Sequence, residues 1–209
     1  MTTDVRRERT ALCDLLNQVG PDQPTLCEGW LTRDLAAHLV LRERRPLAAP
    51  GIAVRPLSGY TARVQRRLAD RPFPELIDVL RDPPGWSPAR LAAVDRAINT
   101  LELFLHHEDI RRAQPNWQPR ALPDSFAAAL WSRVRVIAKL RLRRFPAAVL
   151  IEAPGHGSHP TGRGGPQVRV TGDPGELALF CSGRQRVARV ALSGPDELTG
   201  KLAAARLGF

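Results

Sequence analysis

The longest helical pattern in the chain, at residues 88–113, constrains the fold more than any other feature. Ile98, Leu101 and Leu105 recur within it at spacings of three and four residues and form one apolar stripe. Such a stripe must be buried, because a helix of this kind takes most of its stability from packing. The same period recurs in shorter stretches, separated by polar, Pro- or Gly-containing breaks, at 4–19, 33–45, 61–70, 74–81 and 123–144. A bundle of helices is therefore predicted for the first part of the chain.

Two helix starts carry recognisable capping residues. Ser87 followed by Pro88 is predicted to begin the longest helix, with Ser as the N-cap and Pro at the first helical position. Thr32 is predicted to be the N-cap of the second helix, and Asp34 lies in its first turn, where the helix dipole favours a carboxylate. Residues 46–60 are rich in Pro and Gly and are predicted to form a loop.

The composition of the chain changes after residue 146. Residues 153–166 are dominated by Gly, Pro, Ser and His and are predicted to be a loop or linker. The segments around it predict strands at 168–172 and 186–192, helices at 173–182 and 194–206, and a further candidate strand at 147–152. The predicted fold class is α+β, mainly α, with a helical domain at 1–146 and a small α/β domain at 147–209.

The charge of the chain raises the question of a nucleic-acid partner. The net charge is +10 and the isoelectric point is about 11.1. The basic residues are almost all Arg, however, and Arg is abundant together with Ala, Pro and Gly, as a GC-rich coding sequence produces. The basic residues of 123–144 do not share one stripe, and no helix-turn-helix or zinc-finger pattern is present. The sequence therefore argues against nucleic-acid binding.

The apolar runs and the cysteines argue against a membrane protein, a disulfide-bonded scaffold and a cysteine-based zinc site. The sequence has no run of about 18 apolar residues and no apolar segment near its polar N-terminus, so we expect no membrane contact and a cytoplasmic location. The three cysteines, Cys13, Cys27 and Cys181, are widely spaced and form no CxxC pair. They are predicted to be packed thiols and not disulfides or zinc-knuckle ligands.

A polar stripe lies beside the apolar stripe of the longest helix. Its members share one helical face and are Asp95, Asn99, Glu102, His106 and Asp109. Glu102 and His106, four residues apart, project side by side. His38 occupies a similar place in the second helix, at the edge of the stripe formed by Leu35 and Leu39. Two helices of a bundle can bring these three side chains together.

Two imidazoles and a carboxylate suit zinc, nickel or ferrous iron. Three protein ligands leave a coordination position open to water or substrate, which favours chemistry over a structural role. The alternative from spacing alone is that hydrogen bonds satisfy both histidines and that Glu102 and His106 form an ordinary helical pair. No catalytic residue beyond the candidate ligands is apparent.

Four further side chains are candidates for the surroundings of the site: Asp34, Asn99, Trp30 and His107. Asp34 can orient His38 or serve the helix N-terminus, Asn99 can line a pocket or form a buried hydrogen bond, and Trp30 can wall a cavity or join the core. His107 is rotated about 100° from His106 around the helix axis, so we do not expect it to bind the same ion. It is expected either next to the site or exposed.

Other polar residues are weaker candidates. Cys27 is predicted to pack within its loop, and the alternative is that its thiol lies near the metal site. Three arginines, Arg96, Arg111 and Arg112, can bind an acidic substrate, but a solvated surface is the simpler interpretation. His156 and His159 lie three residues apart in the Gly-rich loop without a neighbouring carboxylate or thiol, so a second metal site there is not favoured.

Three segments of the chain resemble a known family. The sequences GWLTRDLAAHL at 29–39 and NTLELFLHHEDIRR at 99–112 resemble the N-terminal domain of mycothiol-dependent maleylpyruvate isomerases. They are also similar to the wider DinB/YfiT superfamily of metal-binding four-helix bundles, and more narrowly to an uncharacterised actinobacterial metal-binding family within it. Residues 168–184 resemble the small sterol-carrier-like C-terminal domain of the isomerases.

The resemblance implies a function for the candidate ligands. It implies a DinB-like four-helix bundle in which His38, Glu102 and His106 hold a divalent metal, with zinc preferred and nickel or iron as alternatives. The metal would bind the sulfur of a low-molecular-weight thiol, here mycothiol, and the resulting thiolate would add to an electrophilic substrate in an isomerase or S-transferase reaction. A non-catalytic metal- or ligand-binding bundle, such as a stress or thiol sensor, is the alternative, and a homodimer is left open.

Overall fold

The computed structural model describes residues 3–45, 47–52, 54–82 and 91–208. Within them the chain is mainly helical with one small sheet, which confirms the predicted α+β class. The helices in chain order are α1 (Asp4–Val19), α2 (Thr32–Arg44), α3 (Ser58–Ala69), α4 (Phe73–Arg81), α5 (Ala92–Arg111), α6 (Asp124–Leu142), α7 (Pro174–Cys181) and α8 (Asp196–Ala203). The strands are β1 (Ala148–Ala153), β2 (Gly157–Gly162), β3 (Gln167–Thr171) and β4 (Ala191–Ser193). In the described ranges, no helix has the length and apolar character needed to cross a membrane.

The helices predicted for the first part of the chain are present within a few residues of their predicted ends. The predicted start of the longest helix at Ser87 and Pro88 lies outside the described residues. The prediction for Thr32 is wrong, because Leu31 is the N-cap of α2 and the Thr32 hydroxyl donates to the carbonyl of Gly20 at 2.5 Å. The predicted loop at 46–60 contains two short 3-10 helices and the first turn of α3.

The chain divides into two compact units, Met1–Pro119 and Arg120–Phe209, so that α6 belongs to the second. The predicted domain boundary at residue 146 stays a prediction. In the first unit, α1 packs against α4 and α5, and α2 packs against α3 and α4. The core between them is made of fully buried aliphatic side chains, among them Leu12, Leu16, Leu35, Leu39, Leu76, Ile77, Leu103 and Ile110.

The buried face of helix α5 agrees only in part with the predicted apolar stripe. Ile98, at the start of the predicted apolar stripe, is 48% exposed. Leu105 of the same stripe is buried, as predicted, and Leu103, Phe104 and Ile110 supply further buried apolar contacts. The polar stripe is itself largely buried, because hydrogen bonds and ion pairs satisfy its members, some within α5 and some to other parts of the first unit. Asp95, Asn99, His106 and Asp109 are all less than 9% exposed. A buried row of polar groups needs such partners, and these partners define the candidate site below.

The second unit contains a four-stranded sheet with the strand order β2-β1-β3-β4. β1 runs parallel to β3 and antiparallel to β2, and β4 is antiparallel to β3. Alternate residues of β1 are buried, which is the pattern of a sheet covered on one face. α6 packs against α7 and against β1 and β2. The candidate strand at 147–152 is present as β1, Ala148–Ala153.

One loop prediction and one strand prediction are corrected. Part of the predicted loop at 153–166 is β2, which pairs with β1 although its sequence, GSHPTG, lacks the usual β-branched run. Pro160 agrees with the edge position of β2, because proline within sheets is confined to edge strands, strand starts and bulges. The strand predicted at 186–192 is shorter and later, at Ala191–Ser193, and residues 185–187 form a turn before it.

Candidate metal centre

Two helices of the first unit supply the three predicted ligands. α2 carries His38, and α5 carries Glu102 and His106 one turn apart. One ligand atom from each residue lies within 4.8 Å of the other two. Nε2 of His106 is 3.8 Å from Oε2 of Glu102, and the two imidazole rings meet edge to face with centroids 5.2 Å apart. The structure therefore brings together the residues that the sequence pattern selected.

The environment of His38 keeps its imidazole neutral. Burial lowers the pKa of His38 to about 3, and the nearby His106 and the Arg42 guanidinium act in the same direction. A neutral imidazole has a free lone pair at physiological pH, which is the form that binds a metal. Trp30 lies beside this ring, with centroids 5.1 Å apart, and closes one side of it.

A buried carboxylate orients His106. Nδ1 of His106 is 3.0 Å from Oδ2 of Asp109, which is completely buried. This contact occupies Nδ1, and the opposite nitrogen, Nε2, is the one near Glu102. A carboxylate that holds the second nitrogen of a histidine is common at metal sites, because it fixes the ring and makes it a better ligand.

Glu102 is held by a network that extends along α5. Nε of Arg42 lies 3.5 Å from Oε2 of Glu102, while its Nη1 donates to the Asn99 side chain at 2.6 Å and its Nη2 to the Ile98 carbonyl at 2.9 Å. Asn99 in turn donates to Asp95 at 2.7 Å. The Glu102 side chain is 28% exposed, so the candidate centre is open to solvent on the side of this carboxylate.

The loop before α2 places two of the surrounding side chains. Gly29 adopts φ 75°, a left-handed conformation that favours glycine, immediately before Trp30. The Trp30 N–H donates to the carbonyl of Cys27, and the Thr25 hydroxyl donates to the carbonyl of Trp30 at 2.9 Å. Cys27 is brought next to Asp109, with Sγ 3.3 Å from Oδ2, so it lies near the site and does more than pack within its loop.

The other predicted surrounding residues have distinct places. Asn99 belongs to the network that reaches Glu102 through Arg42. The Asp34 carboxylate accepts from the Leu31 N–H at 3.0 Å, which serves the helix N-terminus; its predicted role toward His38 stays a prediction. His107 is not exposed but buried, and its Nδ1 is 2.8 Å from Oε1 of Glu8 on α1.

The candidate arginines and the histidine loop lie elsewhere. Arg112 is not solvated, because it is buried, lies over the ring of Trp117 and pairs with Glu108 at 2.6 Å. Arg96 is exposed, as predicted. His156 and His159 lie in the second unit, and in the described residues neither joins a group of three metal-binding side chains.

Sequence reasoning missed the roles of Arg42 and Asp109. Arg42 follows His38 by four residues and Asp109 follows His106 by three, so both lie on the helical faces that carry the ligands. That spacing was the available signal. The distance between the helices, which decides which partner each side chain meets, cannot be read from spacing.

Comparisons with known proteins support the fold. No family model matches the chain, and no curated protein sequence matches it. Among solved structures, the chain is similar to the crystal structure of the mycothiol-dependent maleylpyruvate isomerase, with a TM-score of 0.51 and 15% sequence identity. The match covers 90% of this chain and 88% of that chain. At this level of identity the likeness shows a shared fold.

Proposed function

We propose that this protein binds one divalent metal through His38, Glu102 and His106 and is a mycothiol-dependent isomerase or S-transferase. The observation that carries the proposal is the convergence of these three ligand atoms within 4.8 Å, next to an exposed edge at Glu102. We further propose that the first unit is a DinB-like four-helix bundle and that the second is sterol-carrier-like. The similarity to the isomerase structure supports this arrangement.

The donor set fits a borderline divalent ion such as zinc. It combines two imidazoles, one of which is held neutral by burial, with one carboxylate, and three ligands leave room for a further one. A divalent metal held here would lower the pKa of a coordinating thiol, so that the thiolate would exist near neutral pH.

The protein's own residues prepare the site for this role. Asp109 fixes the His106 ring, and Arg42 holds Glu102 against the ligand group. Trp30 covers one side of His38 and limits the access of water to it. The partially exposed Glu102 marks the side from which a small thiol and an electrophile can approach.

The first experiment measures metal content by mass spectrometry on protein purified without a metal-affinity tag. We expect one equivalent of a transition metal in the wild type and its loss in Glu102→Gln and His106→Ala. The control is His156→Ala, which removes a histidine from the second unit and should keep the metal. Absence of metal in the wild type, even after addition of zinc, nickel or iron, would overturn the proposal.

The second experiment tests whether a thiol reaches the metal, as the thiol-dependent activity requires. Cobalt is introduced into the metal-free protein, and mycothiol is added while the visible spectrum is recorded. A change in the cobalt spectrum that is absent in His38→Gln supports a thiol at the metal. An unchanged spectrum would leave metal binding in place and contradict the thiol-dependent activity.

A further inference from the structure

A second group of ligand atoms meets on the Nδ1 side of His106. Sγ of Cys27 and Nδ1 of His106 both contact the same oxygen of Asp109, at 3.3 Å and 3.0 Å. One ligand atom from each of the three residues lies within 4.8 Å of the other two. We propose that Cys27, His106 and Asp109 form a second cation site that takes a soft, thiophilic divalent ion such as cadmium.

The distances suit a tetrahedral ion. With metal–ligand bonds of about 2.0–2.3 Å, a tetrahedral ion holds its ligand atoms roughly 3.3–3.7 Å apart. The two contacts of the Asp109 oxygen, 3.0 Å to Nδ1 of His106 and 3.3 Å to Sγ of Cys27, are within a few tenths of an ångström of these separations, and all three ligand atoms lie within 4.8 Å of one another. As the sulfur–metal bond forms, the Cys27 thiol proton is released to solvent, and the His106 ring takes the tautomer with its proton on Nε2, so that the Nδ1 lone pair binds the ion.

The charge and softness of this group differ from those of the first site. A Cys27 thiolate and the Asp109 carboxylate balance the two charges of a divalent cation. The first site offers a single carboxylate, with the Arg42 guanidinium close to it. Thiolate sulfur also favours softer ions than carboxylate and imidazole do. The second site should therefore favour cadmium over zinc, magnesium or manganese.

The loop that carries Cys27 is fixed in place before any ion binds. The Leu26 N–H donates to the backbone carbonyl of Asp109 at 3.0 Å, which ties the loop to α5. Within the loop, the Thr25 hydroxyl accepts from the Cys27 N–H at 3.2 Å. Since the backbone around the thiol is already ordered, little conformational entropy is lost when the ion binds.

The two sites share His106 and should oppose one another. An ion on Nδ1 takes the place of the Asp109 hydrogen bond that orients the ring for the first site. By thermodynamic reciprocity, each ion then weakens the binding of the other by the same factor. This last step rests on the proposed function, whereas ion binding at Cys27 does not. A thiophilic ion at the second site would thus inhibit the metal-loaded protein.

The test is a cadmium titration of the metal-free protein, followed by the ultraviolet absorbance of the sulfur-to-cadmium charge transfer. Glu102→Gln, in which the first site is disabled, should still bind cadmium and show this absorbance. Cys27→Ser should lose the absorbance, while Cys181→Ser, which removes a buried thiol in the second unit, should keep it in full. Circular dichroism establishes that each variant is folded, and Cys27→Ala replaces Cys27→Ser if that variant does not fold.

Two results would overturn the second site. One is the absence of thiolate absorbance in folded Glu102→Gln, and the other is its persistence in Cys27→Ser. The sharing of His106 is tested separately with zinc-loaded wild-type protein, in which the absorbance should need at least about tenfold more cadmium than in Glu102→Gln. Equal cadmium requirements would exclude the sharing. Failure of the first site would instead appear as a lack of zinc in the wild type.

Discussion

Nδ1 of His106 lies 3.0 Å from the fully buried carboxylate of Asp109, and this contact fixes which nitrogen of the ring faces Glu102. The ring cannot turn over without leaving a buried carboxylate short of a partner, which costs free energy. The orientation of one candidate ligand is therefore set by a residue three positions further along the same helix.

Asp109→Asn tests this orienting role. An amide is a weaker acceptor than a carboxylate, so His106 becomes a poorer ligand, and we expect zinc affinity to fall about 10–100-fold. Competition with a chromophoric chelator measures the affinity. Asp78→Asn, at an exposed position on α4, serves as the control and should leave the affinity unchanged. Equal zinc affinity in wild type and Asp109→Asn would contradict the role.

The buried His38 should make the metal-free protein sensitive to acid. Its pKa is about 3 in the folded protein and near 6.5 when exposed, so the unfolded chain binds one more proton between these values. The contribution of His38 to stability is fully present above pH 6.5 and is lost as the pH falls toward 3. We expect a loss of about 3 kcal/mol from this residue by pH 4.

Urea unfolding of the metal-free wild type and of His38→Gln at a series of pH values isolates this contribution. Other groups titrate in both proteins, so only the difference between the two curves reports His38. The wild type should lose more of its unfolding free energy between pH 7 and pH 4 than the variant does. Parallel curves would show that His38 can be protonated in the folded protein.

The helices and the candidate ligands were accessible from sequence, because both depend on local periodicity. The spacing of four between Glu102 and His106, and the place of His38 beside Leu35 and Leu39, need no knowledge of distant contacts. The same rule failed for Ile98, which has the correct period but is 48% exposed. Burial of the polar stripe depends in part on partners from other helices, such as Arg9 and Arg42, and these are not encoded in the period.

The strand β2 shows the same limit in the second unit. Its Gly, Ser, His and Pro residues have low strand propensity, so its conformation comes from pairing with β1 and not from its own sequence. Arg42 shows the same limit at the candidate metal site, because its role also depends on a contact with a distant part of the chain. Its role toward Glu102 follows from the contact between α2 and α5, whereas its sequence context shows only a polar helical residue.

The cysteines should differ sharply in reactivity. Cys13 and Cys181 are completely buried, and burial raises their pKa to about 11 and about 12 respectively. Cys27 is only partly buried. With a thiol reagent at neutral pH, we expect slow modification of Cys27 alone in the native protein and of all three cysteines in urea. Native Cys27→Ser should then be unreactive, and rapid labelling of that variant would contradict the burial of the other two thiols.

Arg9 forms a buried ion pair whose loss should strongly destabilise the first unit. Its guanidinium binds both carboxylate oxygens of Glu43 at 2.8 Å, donates to the Leu80 carbonyl at 3.0 Å and lies 3.6 Å from Asp95. Arg9→Met keeps the apolar stem but leaves two buried carboxylates without their cation. Removal of one partner from a buried pair costs about 3–5 kcal/mol, which urea unfolding at pH 7 should detect.

The matched control is Arg7→Ala on the same helix, where Arg7 is 58% exposed and pairs with Asp4. Exposed ion pairs contribute about 0–1 kcal/mol, because water screens the charges and both side chains lose freedom on pairing. Similar destabilisation by the two substitutions would show that the Arg9 pair is no stronger than a surface contact. The double variant Arg9→Met/Glu43→Gln gives a further check, since neutralising Glu43 should restore part of the stability lost in Arg9→Met.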